Sequence, residues 1–245
     1  MTTTEADSSA YLSLLLADGR LPTGAHTQSA GLEPALNHGL ELADVPAYIR
    51  ARLTTVTEVE AAAAVVARHR WLAAADSPTS GADRVEMLAE VDRAWRVRTM
   101  SAALRDASDL LGRSYLRLAS SVWPGLHPLA LAPQPAKRAS SSRPAWCRAV
   151  VLGATAAEAG LTVGQTARLV GYEDVQTVIA AALKLRPFDP AVAVRWSVAA
   201  GADVEALVTR VAALTEPDRI PAYAAPQIEH WAELHTRTER RLFRA

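Results

Sequence analysis

Histidine and cysteine are the residue types in this chain that could bind a transition metal, and their spacing does not predict a site. The six histidines are His26, His38, His69, His127, His230 and His235. Only His230 and His235 are close, and side chains five positions apart on a helix point in different directions. Cys147 is the only cysteine, which excludes an intramolecular disulfide and a multi-thiolate zinc site. We therefore predict no metal site, and a reducing compartment is the simple inference.

Catalytic and phosphate-binding motifs are also missing from the sequence. It contains no G-x-x-x-x-G-K-[ST] loop, no H-E-x-x-H helix and no G-x-S-x-G turn. Lysine plus arginine and aspartate plus glutamate both number 26, so the net charge is zero and the electrostatic signature of a nucleic-acid-binding protein is absent. These observations argue against an independent enzyme.

One segment suggests DNA binding, which is a rival function. Residues 161–172, LTVGQTARLVGY, resemble the first helix and turn of a helix-turn-helix. The recognition helix would then be residues 173–182, EDVQTVIAAA. Its two leading carboxylates would face phosphates, and its alanines cannot read base edges. Two packed helices separated by a glycine turn are the better interpretation.

The stretch from Leu12 to Leu36, LSLLLADGRLPTGAHTQSAGLEPAL, predicts a helix, a rigid bend and a short second helix. Pro22 fixes its own φ, and Gly24 allows a positive φ that a side chain would disfavour. We expect this bend to present His26, Gln28 and Ser29 as a contact surface. The alternative is a helical corner that serves packing alone.

The remaining chain predicts an all-α protein, because half of its residues are hydrophobic and no alternation of the strand period is found. We predict a disordered tail over residues 1–10, a single globular bundle of roughly eight to ten helices over 11–236, and a flexible partner-binding tail over 237–245. The uncharged run 118–136 contains four prolines and predicts a loop rather than a membrane span, so the cytoplasm is the expected location. Helices are expected over 45–75, 84–121 with a possible division at Gly112, 145–159, 162–170, 173–185, 191–200, 203–214 and 227–237.

Two further motifs lie in the second half of the chain. Residues 182–188 read ALKLRPF and contain Lys184, one of only two lysines. The C-terminus contains His235 and ends in residues 241–245, RLFRA. Leu242 and Phe243 are apolar residues near a free end, so we expect the tail to be mobile alone and to become ordered against a partner.

These three motifs, in this order, resemble the UreF family of urease accessory proteins. The family usually reads D-x-x-[FL]-P-x-G-[GA]-x-x-[QH]-S-x-G-L-E near its N-terminus, A-x-x-K-L-x-P-[FL] in its second half and H-E-x-x-x-S-R-L-F-x-S at its end. This chain departs from the pattern at Ala25 and Ala30, which replace frequent glycines, at His26, and at Thr236, Arg240 and Ala245 in the tail. The resemblance spans essentially the full chain.

The resemblance implies an all-helical, non-catalytic maturation factor for the nickel enzyme urease. Its expected partners are a UreD/UreH-type accessory protein, a UreG-type GTPase and the urease apoprotein, with a possible homodimer and with neither nucleic acid nor membrane. No cofactor is assigned to the chain itself, since the complex handles nickel. A GTPase-activating protein that supplies a catalytic arginine in trans is the alternative. The partner-binding residues implied are Pro22, Gly24, His26, Gln28, Ser29, Lys184, His235, Arg241, Leu242, Phe243 and Arg244.

Overall fold

The computed structural model describes residues 3–74, 80–132, 145–238 and 242–243, and in these ranges the regular secondary structure is helical. Nine of the α-helices contain nine or more residues, which confirms the predicted all-α bundle. The α-helices are α1 (Thr3–Leu16), α2 (Leu32–Asn37), α3 (Val45–Leu53), α4 (Val56–Ala73), α5 (Ser80–Arg98), α6 (Ala102–Val122), α7 (His127–Leu131), α8 (Arg148–Glu158), α9 (Val163–Leu185), α10 (Pro190–Val211) and α11 (Pro226–Thr236).

Helix α4 lies at the centre of the bundle and packs against α5, α8 and α9. Its alanines at positions 61 to 64 are fully buried, and such small side chains allow neighbouring helix axes to approach closely. On α8, a Cβ at Gly153 would lie 2.3 Å from the Ala64 carbonyl oxygen, so only glycine fits at this crossing. The alanine-rich, aromatic-poor composition is therefore explained by closely packed helices.

Helices α9 and α10 are each continuous where the sequence predicts two shorter helices. Gly171 lies inside α9, where a Cβ would come within 3.1 Å of the Leu207 and Val204 side chains of α10. Gly201 likewise lies inside α10. Packing between these two helices offsets the cost of about 1 kcal/mol for a glycine in a helix. Because no turn interrupts residues 163–185, the favoured interpretation of two packed helices with a glycine turn between them is wrong, and so is the helix-turn-helix alternative.

Two other predicted helices divide at unpredicted places. The helix expected over 45–75 breaks at Thr54 and Thr55, whose hydroxyls donate to carbonyl oxygens of the preceding turn at 2.6 to 3.2 Å. The pattern over 84–121 breaks before Ser101, whose Oγ caps α6 by accepting the N–H of Leu104 at 3.2 Å. Gly112 stays inside α6, so it does not divide the helix.

At the N-terminus, α1 begins at Thr3, within the segment predicted to be disordered. Helix α7 lies within the run 118–136 that the sequence predicts to be a loop. Among the described helices, none has the length and apolar character needed to cross a bilayer.

Candidate functional site

Three segments that are far apart in sequence meet at one place in the fold. Lys184, in the last turn of α9, has its Nζ 3.5 Å from the carbonyl oxygen of His26 in the N-terminal bend. The same Nζ lies 5.3 Å from the ring centroid of Phe243 near the C-terminus. We call the bend residues 22–33, Lys184, His235 and residues 242–243 the three-segment site. The three motifs found in the sequence thus form one structural unit.

The bend itself is built around Gly24, which has a φ of 83°. This confirms the expectation that Gly24 takes a positive φ. The Gly24 carbonyl oxygen accepts the backbone N–H of Thr27 at 3.0 Å and the Thr27 hydroxyl at 2.8 Å, which closes the turn. Before the turn, Arg20 donates to Asp18 and lowers the pKa of that carboxyl group to about 2. Pro22 and His26 are exposed on the outside of the bend.

After the bend, Ala30 adopts a left-handed conformation with a φ of 51°, which is uncommon for a residue with a Cβ. Its carbonyl oxygen accepts two hydrogen bonds from α3, from the Tyr48 hydroxyl at 2.7 Å and from Arg52 Nη1 at 2.8 Å. These bonds hold the strained residue in place. Because the UreF-like motif usually has glycine here, the backbone conformation gives that preference a physical reason.

Arg52 also ties the bend to α9. It donates to both carboxylate oxygens of Asp174, with Nε to Oδ2 at 2.9 Å and Nη2 to Oδ1 at 2.6 Å. The Thr57 hydroxyl donates to the same Oδ2 at 2.8 Å. Burial disfavours the charge on Arg52, but the adjacent Asp174 carboxylate outweighs it and raises the pKa of Arg52 above its ordinary value. The pair is a charge-assisted bidentate contact, the strongest class of hydrogen bond between side chains.

Glu33 connects the bend to the C-terminus. Its side chain is buried, and its Oε1 and Oε2 accept the backbone N–H groups of Leu242 at 2.7 Å and of Phe243 at 2.9 Å. His235 is buried beside it, with Nε2 at 3.1 Å from the Phe243 carbonyl oxygen and 3.6 Å from Glu33 Oε2. Residues 242–243 are thus held against the rest of the chain through their backbone.

The exposure of the predicted site residues divides them into two groups. Pro22, His26, Lys184 and Leu242 are exposed, as a contact surface requires. Gln28, Ser29, His235 and Phe243 are buried instead. The expectation that the bend presents Gln28 and Ser29 at the surface is therefore wrong: Ser29 Oγ is turned inward, where it accepts the N–H of Glu33 at 3.4 Å.

The expectation for the tail is wrong in one respect. Phe243 is only 5% exposed, whereas Leu242 is 64% exposed, so a single apolar side chain of the pair is available to a partner. The Phe243 ring is buried in the hydrophobic core of the chain itself. Arg241 and Arg244, also predicted to bind a partner, lie outside the described residues.

A cavity of about 160 Å³ lies beneath the bend and is lined by charged side chains of α4, α8 and α9. Arg148 is placed there between the carboxylates of Glu60 and Glu173. Burial raises the pKa of both glutamates, and Arg148 opposes that shift. Gln28 also lines the cavity. Within the described ranges, no three histidine, cysteine or carboxylate side chains are grouped to hold a metal ion.

Sequence reasoning missed Glu33, Arg52 and Asp174 as parts of the site. The available signal was a charged residue directly beside an apolar residue of the predicted core, as with Glu33 after Leu32 and Arg52 before Leu53. A charged residue in that setting is rarely buried unless it is paired. The sequence does not indicate which partner it meets, since Arg52 and Asp174 are 122 positions apart.

Comparison with known proteins gives a consistent result. The family model of UreF matches residues 41–200. A urease accessory protein UreF of Mycobacterium sp. (strain JLS) is 36% identical over 242 residues, covering 94% of this chain and 96% of the relative. A UreF of Mycobacterium marinum is 36% identical over 179 residues, covering 72% of this chain and 73% of the relative. A UreF of Mycobacterium tuberculosis is 34% identical over 180 residues, covering 73% and 74%.

Proposed function

This chain belongs to the UreF family of urease accessory proteins, and from this membership we propose that it is a non-catalytic assembly factor for the nickel centre of urease. It binds a UreD/UreH-type accessory protein and recruits a UreG-type GTPase. The resulting complex contacts the urease apoprotein in the cytoplasm. Hydrolysis of GTP by the GTPase is coupled to the insertion of nickel, which is cargo rather than a resident cofactor of this chain.

The observation that carries the proposal is the three-segment site. An assembly factor needs a surface that is rigid enough to orient a partner and exposed enough to touch it. Here Pro22, His26, Lys184 and Leu242 are exposed, and the buried hydrogen bonds of Glu33 and His235 fix the backbone beneath them. The bend and the tail suit the UreD/UreH-type protein, and the Lys184 ammonium suits a GTPase that carries negative charge around its nucleotide.

A co-purification experiment tests the proposal. The chain is expressed with an affinity tag together with the other products of a urease operon, and the retained proteins are identified. We expect the UreD/UreH-type protein to be retained directly and the GTPase to be retained only when that protein is present. A chain that retains neither protein contradicts the proposal.

Single-turnover GTP hydrolysis then separates an assembly factor from a GTPase-activating protein. The GTPase is preloaded with GTP, and hydrolysis is followed with and without this chain. An arginine supplied in trans increases the rate of GTP hydrolysis by about 10³- to 10⁵-fold. We expect a change of less than tenfold for the assembly factor. An acceleration of a thousandfold, abolished by one Arg→Ala variant, would support the alternative.

A further inference from the structure

Glu33 is a buried carboxylate that accepts hydrogen bonds from backbone N–H groups, and the imidazole Nε2 of His235 lies 3.6 Å from its Oε2. Its two oxygens each accept one N–H, from the consecutive residues Leu242 and Phe243, at 2.7 and 2.9 Å. A buried carboxylate that loses its donors is strongly disfavoured. Residues 242–243 therefore have a specific binding site within the rest of the chain.

Glu33 binds the backbone N–H at both positions, but the two side chains differ in exposure. The Leu242 side chain is 64% exposed although its N–H is held, so it is free to face a partner. The Phe243 side chain is 5% exposed and points to the body, where its ring lies 5.3 Å from Lys184 Nζ. A cation at this distance from an aromatic face is attracted to it. Glu33 thus holds the backbone of the residue whose ring faces the ammonium group.

We propose that Glu33 is a positioning residue that docks residues 242–243 and, through the Phe243 ring, sets the position of the Lys184 ammonium group. The inference rests on the proposed function, in which the GTPase partner contacts Lys184. A partner bound to the tail and a partner bound at Lys184 are then linked by Glu33 and Phe243. The only other contact the structure gives the Lys184 ammonium group, within the described residues, is the carbonyl oxygen of His26 at 3.5 Å.

Backbone amide exchange tests the docking step without any partner. In the full chain, Glu33→Gln keeps the side-chain shape but removes the charge and places an NH₂ group against an N–H donor. We expect the amides of Leu242 and Phe243 to exchange at least about tenfold faster, which corresponds to about 1.4 kcal/mol. Glu41→Gln is the matched control, since Glu41 is exposed, and it should leave both amides unchanged. Equal protection in Glu33→Gln and the wild type overturns the docking step.

A double-mutant cycle tests the link to Lys184. Affinity for the GTPase is measured in the complex with the UreD/UreH-type protein for Glu33→Gln, Phe243→Leu and the double variant. Since both residues act through one ammonium group, each should weaken binding by about three- to tenfold, and the double variant no more than either alone. In a Lys184→Ala background both effects should vanish. Additive effects, or effects that persist without Lys184, overturn the link.

The outcomes distinguish this inference from the proposed function. If Glu33→Gln does not fold, Glu33→Asp replaces it in the amide exchange, because the shorter side chain draws the carboxylate back from both N–H groups. Phe243→Leu alone then carries the binding measurement, because loss of the ring should release Lys184 while Glu33 remains. If the wild-type chain binds neither partner, the proposed function and the link to Lys184 both fall. The amide exchange result still decides whether Glu33 docks the tail.

Discussion

Glu33 and Phe243 are 210 positions apart, yet the Glu33 carboxylate accepts the Phe243 backbone N–H at 2.9 Å. This contact joins the second helix of the chain to its C-terminus. Lys184 contributes the third side of the same site, with its ammonium group between His26 and Phe243. The bend, the end of α9 and residues 242–243 are therefore in direct contact, so a variant in one of them is informative about the other two.

Deletion of residues 241–245 should weaken binding of the UreD/UreH-type partner and also destabilise the chain. Loss of a tail that is mobile in the isolated chain would leave the melting temperature unchanged, but this deletion removes both N–H donors of buried Glu33 and the buried Phe243 ring. We expect the free energy of unfolding to fall by about 1 to 3 kcal/mol in urea titrations.

Leu242→Ala is the control for this deletion, because the Leu242 side chain is exposed while its N–H stays in place. Its stability should change by no more than about 0.5 kcal/mol. Its partner affinity should nevertheless decrease. A deletion variant with wild-type stability and wild-type partner affinity would show that the docked tail is dispensable.

Gly24→Val should destabilise the bend and impair urease activation. At a φ of 83° a residue with a Cβ is strained, although the nearest atoms to a built Cβ are 3.9 Å away, so the cost comes from the backbone rather than from a clash. We expect about 1 to 2 kcal/mol for Gly24→Ala and more for the β-branched valine. Gly19→Ala is the control, since Gly19 has no positive φ and open space around it. Full activity and stability of Gly24→Val would contradict a rigid bend.

Ala30→Gly should stabilise the chain. Ala30 has a φ of 51°, and glycine relieves a left-handed strain of about 1 to 2 kcal/mol, part of which is lost to the greater freedom of glycine in the unfolded chain. We expect a net gain of about 0.5 to 1 kcal/mol in urea unfolding. The comparison is Ala51→Gly on the exposed side of α3, which should cost about 1 kcal/mol. Equal losses in the two variants would mean that Ala30 is not strained.

Lys184→Ala should leave folding nearly unchanged and alter engagement of the GTPase. The side chain is exposed, so the expected change in stability is within about 0.5 kcal/mol. Arg186→Ala is the control, because Arg186 is exposed and directly follows α9. Among the described residues its guanidinium contacts only the carbonyl oxygen of Leu185. Thermal unfolding and GTPase pull-down are measured together. If the Lys184→Ala variant loses binding only because it unfolds, its role is structural.

The sequence was sufficient for the fold class, because composition and the lack of strand periodicity are properties of the whole chain. Helix boundaries were less predictable. Gly171 and Gly201 suggest breaks that packing between α9 and α10 overrides, while the break at Thr54 and Thr55 carries no glycine or proline signal. Local propensity is a weak predictor wherever tertiary contacts decide.

The site was predicted in its parts but not in its assembly. The bend, Lys184 and the tail motif were all identified, and the positive φ of Gly24 followed from its turn. The burial of Phe243 could not be predicted from its position in the sequence, because its N–H is bound by a carboxylate 210 positions away. Every residue except proline carries a backbone N–H, so the types of residue in a sequence do not show which one a buried carboxylate will bind.

Reconstituted urease activation tests the central claim most directly. Purified urease apoprotein is incubated with the UreD/UreH-type protein, the UreG-type GTPase, GTP, nickel and bicarbonate, and both urease activity and nickel content of the enzyme are measured with and without this chain. We predict that activation and nickel incorporation require the chain, and that both fall at least about tenfold with Leu242→Ala/Lys184→Ala, whose two side chains are exposed. Equal activation and equal nickel content without the chain, or with the double variant, would contradict the account.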